Sequence, residues 1–159
     1  WAGVSQEPAA VPCMEEAVLS FLRSCEVLTS DWKQMLEQAV NAPEPENLLA
    51  YTSALDQEIR LFTMDMLYRY YLRAAYAETP EAEILPVQMA AFAVCVVLLY
   101  SRRLGFHTAE QRLRIWQLFV KEIEYDGDNL EELEWQLETN AAFSPAAFRA
   151  YFASLGGVQ

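Results

Sequence analysis

The chain has 159 residues and a formal charge of −12, with 11 lysines and arginines set against 23 aspartates and glutamates. At 53% hydrophobic and 13% aromatic it carries enough apolar material for one packed domain, which excludes a disordered tail. A field of this sign repels phosphate backbones and anionic lipid, so neither nucleic acid nor a membrane surface is expected as a partner.

Residues 1–13, with Pro8 and Pro12, are expected to be extended or poorly ordered, ahead of a first helix from Met14 to Arg23. A second is predicted from Asp31 to Val40 after the cap candidates Thr29 and Ser30, and Asn41-Ala42-Pro43-Glu44-Pro45 then breaks the chain. The third, from about Glu46 to Tyr76, places Leu48, Tyr51, Leu55, Ile59, Phe62, Met66 and Tyr70 on one helical face. Beyond Arg60 its apolar residues spread to Leu61, Met64, Leu67, Tyr68, Tyr71 and Leu72, so this half is expected to be surrounded on several sides. The fourth helix begins at Thr79 or Leu85 and ends at Leu104. Its apolar run from Met89 to Tyr100 is shorter than the roughly 20 residues of a membrane span and reads as a buried central helix.

Gly105 is placed as the residue that stops this helix, after Arg102 and Arg103 in the last turn. Thr108 and Gln111 have the spacing of a capping box for a fifth helix to about Tyr125, burying Ile115, Leu118, Phe119 and Ile123. A sixth is predicted from the cap spacing of Asp128-Asn129-Leu130-Glu131, carrying Leu130, Leu133 and Leu137, and Ser144-Pro145 opens a seventh that ends before Gly156-Gly157. No segment alternates as a strand does. The fold class is therefore all-α, a single bundle of about seven helices with a long third and a buried central fourth.

Several chemistries are excluded or weakened by what is missing. The glycines are Gly3, Gly105, Gly127, Gly156 and Gly157, with no Gly-x-Gly, so a glycine-rich nucleotide-binding turn has no place. His107 is the single histidine and no Cys-x-x-Cys occurs, so no metal is assigned and His107 reads as a solvated turn residue. Asp126-Gly127-Asp128-Asn129 opens like a calcium loop, but Glu131 stands where that loop needs glycine, and the acids are read as helix caps. Cys13, Cys25 and Cys95 form no disulfide framework, which points to free thiols in the cytoplasm, with Cys95 inert in its apolar run. Glu122 and Glu124 point in different directions on a helix, with Glu122 read as solvated.

The segment Asp65-Met66-Leu67-Tyr68-Arg69-Tyr70-Tyr71-Leu72-Arg73 sets Asp65, Arg69 and Arg73 on one line among tyrosines. Asp65 and Arg69 form either a packing pair covered by tyrosine rings or one edge of an aromatic pocket. In the second reading the guanidinium would take a carboxylate and the ring faces a cationic methyl donor. The residues placed at such a site are Tyr68 and Arg69, then Tyr71, with Glu124 contributed from the fifth helix.

Four stretches taken together resemble the C-terminal helical part of the flagellin lysine-N-methylase family. Leu28-Thr29-Ser30-Asp31-Trp32-Lys33 is similar to its leucine, polar turn and tryptophan, and Glu46-Asn47-Leu48-Leu49 to the start of its long helix. Leu67-Tyr68-Arg69-Tyr70-Tyr71-Leu72 is similar to its Tyr-Arg-Tyr-Phe motif, with Tyr71 in place of Phe. Lys121 to Leu130 is similar to its Glu-Ile-Glu-His segment followed by asparagine, with Tyr125 in place of His. The resemblance implies a parent that transfers a methyl group from S-adenosylmethionine to lysines of a flagellin-like protein. It also implies an iron–sulfur cluster held by an N-terminal cysteine cluster that these three cysteines cannot supply. Under this resemblance the chain is expected to be either the C-terminal portion of a longer protein, with no cofactor of its own and inactive in isolation, or a relative that has lost the cluster and the reaction with it. The competing reading is an acidic helical module that binds a protein partner without chemistry.

Overall fold

The computed structural model describes residues 14–43, 52–76 and 79–155, with the backbone alone at 71, 73, 74 and 80–82. Its fourth helix, α4 (Pro80–Leu104), has no polar face in its second half, and every residue from Phe92 to Ser101 is buried. A helix of that kind must be wrapped on all sides. The wrapping is done by α1 (Met14–Ser24), α2 (Ser30–Asn41), α3 (Ser53–Ala75), α5 (Ala109–Phe119), α6 (Gly127–Thr139) and α7 (Pro145–Leu155), each of which contacts α4. The segment Glu83–Leu104, with mean hydropathy 2.1, is long and apolar enough to cross a membrane, and here it is a core helix. No strand occurs among the described residues, so the all-α bundle with a long third and a buried central fourth helix is the observed architecture.

Aromatic rings fix how the layers meet. Phe92 of α4 stands edge-on to Phe21 of α1 at 5.3 Å and to Phe143 at 5.2 Å, with Phe119 at 6.2 Å. Trp32 of α2 lies 5.3 Å from Tyr100, and Phe62 of α3 stacks on Trp116 of α5 at 4.5 Å. Beside that stack, Arg112 grips Glu58 with two hydrogen bonds, of 2.5 and 2.9 Å. Gln88 of α4 donates to the carbonyls of Leu137 and Phe143, at 2.9 and 3.1 Å, where α6 gives way to the 3₁₀ turn Ala141–Phe143.

Helix ends follow local chemistry. Gly105 adopts φ +66°, and the next N–H, of Phe106, donates to Ser101 O at 2.9 Å, closing α4 as expected. Thr108 and Gln111 form the reciprocal capping box of α5, and Thr29 caps α2. α6 is capped by Asp126, not Asp128: the Asp126 side chain accepts from Asn129 N–H at 2.8 Å, and Gly127 becomes the first helical residue.

Two expectations on the long helices need correction, and one lies outside the described residues. Leu55, Phe62, Met66 and Tyr70 are buried on the predicted face of α3, but Leu61, Met64, Tyr68 and Leu72 are exposed, so among the described residues the outer line of its second half is not covered. The fifth helix does not run regularly to Tyr125. It ends at Phe119 and continues as a π-helical turn, Val120–Glu124. Residues 1–13 and the helix start proposed at Glu46, with Leu48 and Tyr51, lie outside the described residues.

Cys25 and Cys95 are free thiols. Burial, with Glu15 nearby, pushes the Cys95 thiol well above its ordinary value. Burial and the carboxylates of Glu132 and Asp126 push Cys25 up to about 12. Because Phe92 joins three elements and is fully buried, Phe92→Ala should destabilise the domain by about 3–5 kcal/mol, lowering the urea midpoint with an unchanged slope.

Candidate functional site at the π-helical turn

The π turn is defined by Tyr125 N–H donating to Val120 O at 3.1 Å, one residue further back than in an α-helix. The wider turn leaves Lys121 exposed and takes Glu122, Ile123 and the Glu124 side chain inward. Two carboxylates thus enter the protein from one turn of backbone and point in different directions. Insertions of this type concentrate at functional positions in helices.

Glu122 is fully buried, which corrects its expected solvation. One of its oxygens accepts from Leu28 N–H at 2.7 Å and the other from the Thr29 hydroxyl. Asn129, also buried, works beside it: its amide donates to the carbonyls of Glu26 and Glu122 at 2.8 Å each, and its oxygen accepts from Glu26 N–H at 2.8 Å. These bonds hold the segment between α1 and α2 against the start of α6. Thr29 accepts from Trp32 N–H while donating to Glu122, so the cap of α2 and the buried carboxylate are one network.

Glu124 turns the other way, to α3. Arg69 Nη1 donates to Glu124 Oε2 at 2.9 Å, and Nη2 lies 2.8 Å from Asp65 Oδ2. The predicted pair within α3 is present, but both partners are partly exposed, at 36% and 42% of their side chains, and the guanidinium also spans to the π turn. Glu124 is 8% exposed, and its Oε1 is buried without a hydrogen-bond partner. Burial raises the Glu124 pKa, the charge and hydrogen bond of Arg69 oppose this, and Asp65 adds to the rise; the net direction is up. Among the described residues the cluster holds two carboxylates and one guanidinium, with Glu124 Oε1 unpaired.

Of the residues selected from sequence, Arg69 and Glu124 meet directly. Tyr68 is 85% exposed on the outer side of α3, and the side chains of Tyr71 and Arg73 lie outside the described residues. Sequence reasoning missed Glu122 and Asn129 as interior groups. A regular helical projection gives no signal for a π turn, and only the reading of the acids in Asp126–Asn129 as helix caps hinted at order there. It also missed Glu15, which is buried and takes Arg102 and the Tyr151 hydroxyl, the latter at 3.3 Å, tying α1 to α4 and α7. His107 is exposed in its turn, and no group of histidine, cysteine and acidic residues among the described residues suits a metal ion. A separate groove of about 560 Å³ between α3, α4 and α7 is lined by Ile59, Leu67, Val94 and Phe152, with Thr63 as a polar edge.

Two outcomes test this geometry. Glu122→Ala leaves the Leu28 N–H and the Thr29 hydroxyl without their acceptor, at about 1–3 kcal/mol for each group that stays buried, measurable by chemical denaturation. Glu124 should titrate above an ordinary glutamate in a carboxyl NMR experiment, and Arg69→Met should raise the midpoint further by removing the opposing charge. A raised folded-state pKa means that the native protein holds the proton more tightly than the unfolded chain. This contribution to stability is therefore present at low pH and lost as pH rises through the raised value, and Glu124→Gln should remove that slope.

Compared with known proteins, the chain matches no family model, no curated protein and no solved structure.

Proposed function

We propose that this chain is the helical lobe of a lysine-N-methylase-like protein, whose parent transfers a methyl group to lysines of a flagellin-like protein in the bacterial cytoplasm. The observation that carries the reading is the contact of Arg69 with Glu124, which joins two of the four stretches that resemble the family across 55 residues of sequence. A third stretch, at Leu28 and Thr29, meets the same π turn through Glu122.

The chemistry of the cluster suits the acceptor better than the donor. Both terminal nitrogens of Arg69 are already on protein carboxylates, so a ligand carboxylate would have to compete with Glu124 and Asp65. A primary ammonium instead complements the two described carboxylates, and by displacing the side chains that close Glu124 Oε1 to solvent it would give that oxygen the partner it lacks. Lysine attacks a methyl group only as the neutral amine, and a carboxyl group with a raised pKa is suited to take the ammonium proton. In this reading Asp65 and Glu124 hold the lysine, Arg69 fixes Glu124, and the net charge of −12 draws lysine-bearing protein to the lobe. S-adenosylmethionine, held by the parent, supplies the methyl group. The described thiols, Cys25 and Cys95, do not fit an iron–sulfur cluster, since no group that could hold a metal is present among the described residues.

The second reading, a non-catalytic protein-interaction module, draws on the exposed apolar line of α3. Methyl transfer to a lysine-bearing protein, measured in the parent beside melting temperature, separates the two. Glu124→Gln should lower the rate by about 10²–10⁴ with a small change in melting temperature, and Arg69→Lys should lower it through loss of the fork. Asp65→Asn should weaken acceptor binding. Unchanged transfer in both Glu124→Gln and Arg69→Lys would leave the interaction module as the reading.

A further inference from the structure

α3 carries a second apolar line on the side away from α4. Leu61, Met64, Tyr68 and Leu72 follow at steps of three, four and four residues and are 61, 66, 85 and 64% exposed, with Tyr76, 82% exposed, extending the line. Four large apolar side chains on one helical face are an interaction surface, not scattered exposure.

The spacing along this line is nearly the same read from either end. We infer that the face binds a second copy of the chain, α3 lying antiparallel on α3 across a two-fold axis. A two-fold contact requires a surface complementary to itself, in which residue i meets j and j meets i. Centred between Met66 and Leu67, the antiparallel pair sets Leu61 opposite Leu72 of the second copy and brings Met64 within one residue, about 1.5 Å of rise, of its Tyr68, a thioether near an aromatic ring. In such a pair the same edge of each helix lies side by side. The edge bearing Asp65 and Arg69 therefore meets itself in reverse order, so that Asp65 of one copy comes beside Arg69 of the other. Both side chains keep the exposure this needs, 42% and 36%. The four paired side chains expose on the order of 500–600 Å² per copy, below the roughly 800 Å² per partner of a standard interface, which fits a weak, reversible dimer. The contact is apolar and locally balanced in charge, while each copy carries −12, so association should strengthen as salt screens the long-range repulsion.

Sedimentation equilibrium of this chain at low and high salt tests the idea. The expected result is a monomer–dimer equilibrium with Kd in the micromolar range, tighter at high salt. Leu61→Glu and Tyr68→Glu should each weaken it by at least about thirtyfold without lowering the melting temperature of the monomer. Register is tested by mixing Met64→Cys and Tyr68→Cys chains in a Cys13→Ser background and oxidising them. Disulfides between the two variants should form in preference to those within either. A monomer at every concentration and salt level would overturn the proposal, as would a dimer indifferent to both glutamate substitutions, or like pairs that cross-link as readily as unlike ones.

Discussion

A helix with no polar side has to be enclosed, and the rest of this molecule is arranged around that requirement. From Phe92 to Ser101 every residue of α4 is buried and nearly all are apolar, so neighbours must arrive from every direction. Each large side chain buried this way contributes about 1.5–3 kcal/mol, which makes α4 the main source of favourable burial. The wrapping also explains why rings gather at Phe92. One position on the central helix is the meeting place of α1, the end of α5 and the turn before α7, and flat rings fill the irregular gap where three directions converge.

Enclosing α4 with short helices leaves many helix ends in the interior, and the buried polar groups answer to those ends. Glu122 and Asn129 supply acceptors and donors to the backbone between α1 and α2, and Gln88 donates to two carbonyls where α6 passes into the 3₁₀ turn. Glu124 differs from these. One oxygen is satisfied by Arg69 and the other has no hydrogen-bond partner among the described residues, as is also true of Trp32 Nε1 and the Tyr100 hydroxyl; what sets Glu124 apart is its bond to a guanidinium that is itself partly exposed. The π turn makes the distinction possible by carrying two acids of nearly adjacent number into different surroundings.

α3 links these themes because it is apolar on more sides than the bundle can cover. One face is consumed by α4 and α5, the Arg69 edge reaches the π turn, and the outermost line remains open to solvent. The candidate lysine site and the self-complementary face therefore lie side by side on one helix, so occupancy of one bears on the exposure of the other.

The all-α class, the order of the helices, the stop at Gly105, the Thr108 capping box and the central position of α4 were legible in the sequence. Each depends on local periodicity or on a cap whose partners lie within a few residues. The buried faces of α3 and α5 were legible for the same reason. Tertiary structure alone decided that Asp126 and not Asp128 caps α6, that Glu122 is enclosed, and that Leu61, Met64, Tyr68 and Leu72 are not. It also decided that Arg69 reaches Glu124. Apolar periodicity says how much of a helix wants covering but not how many neighbours there are to cover it, and a carboxylate two residues from another can be placed only once the backbone pitch between them is known.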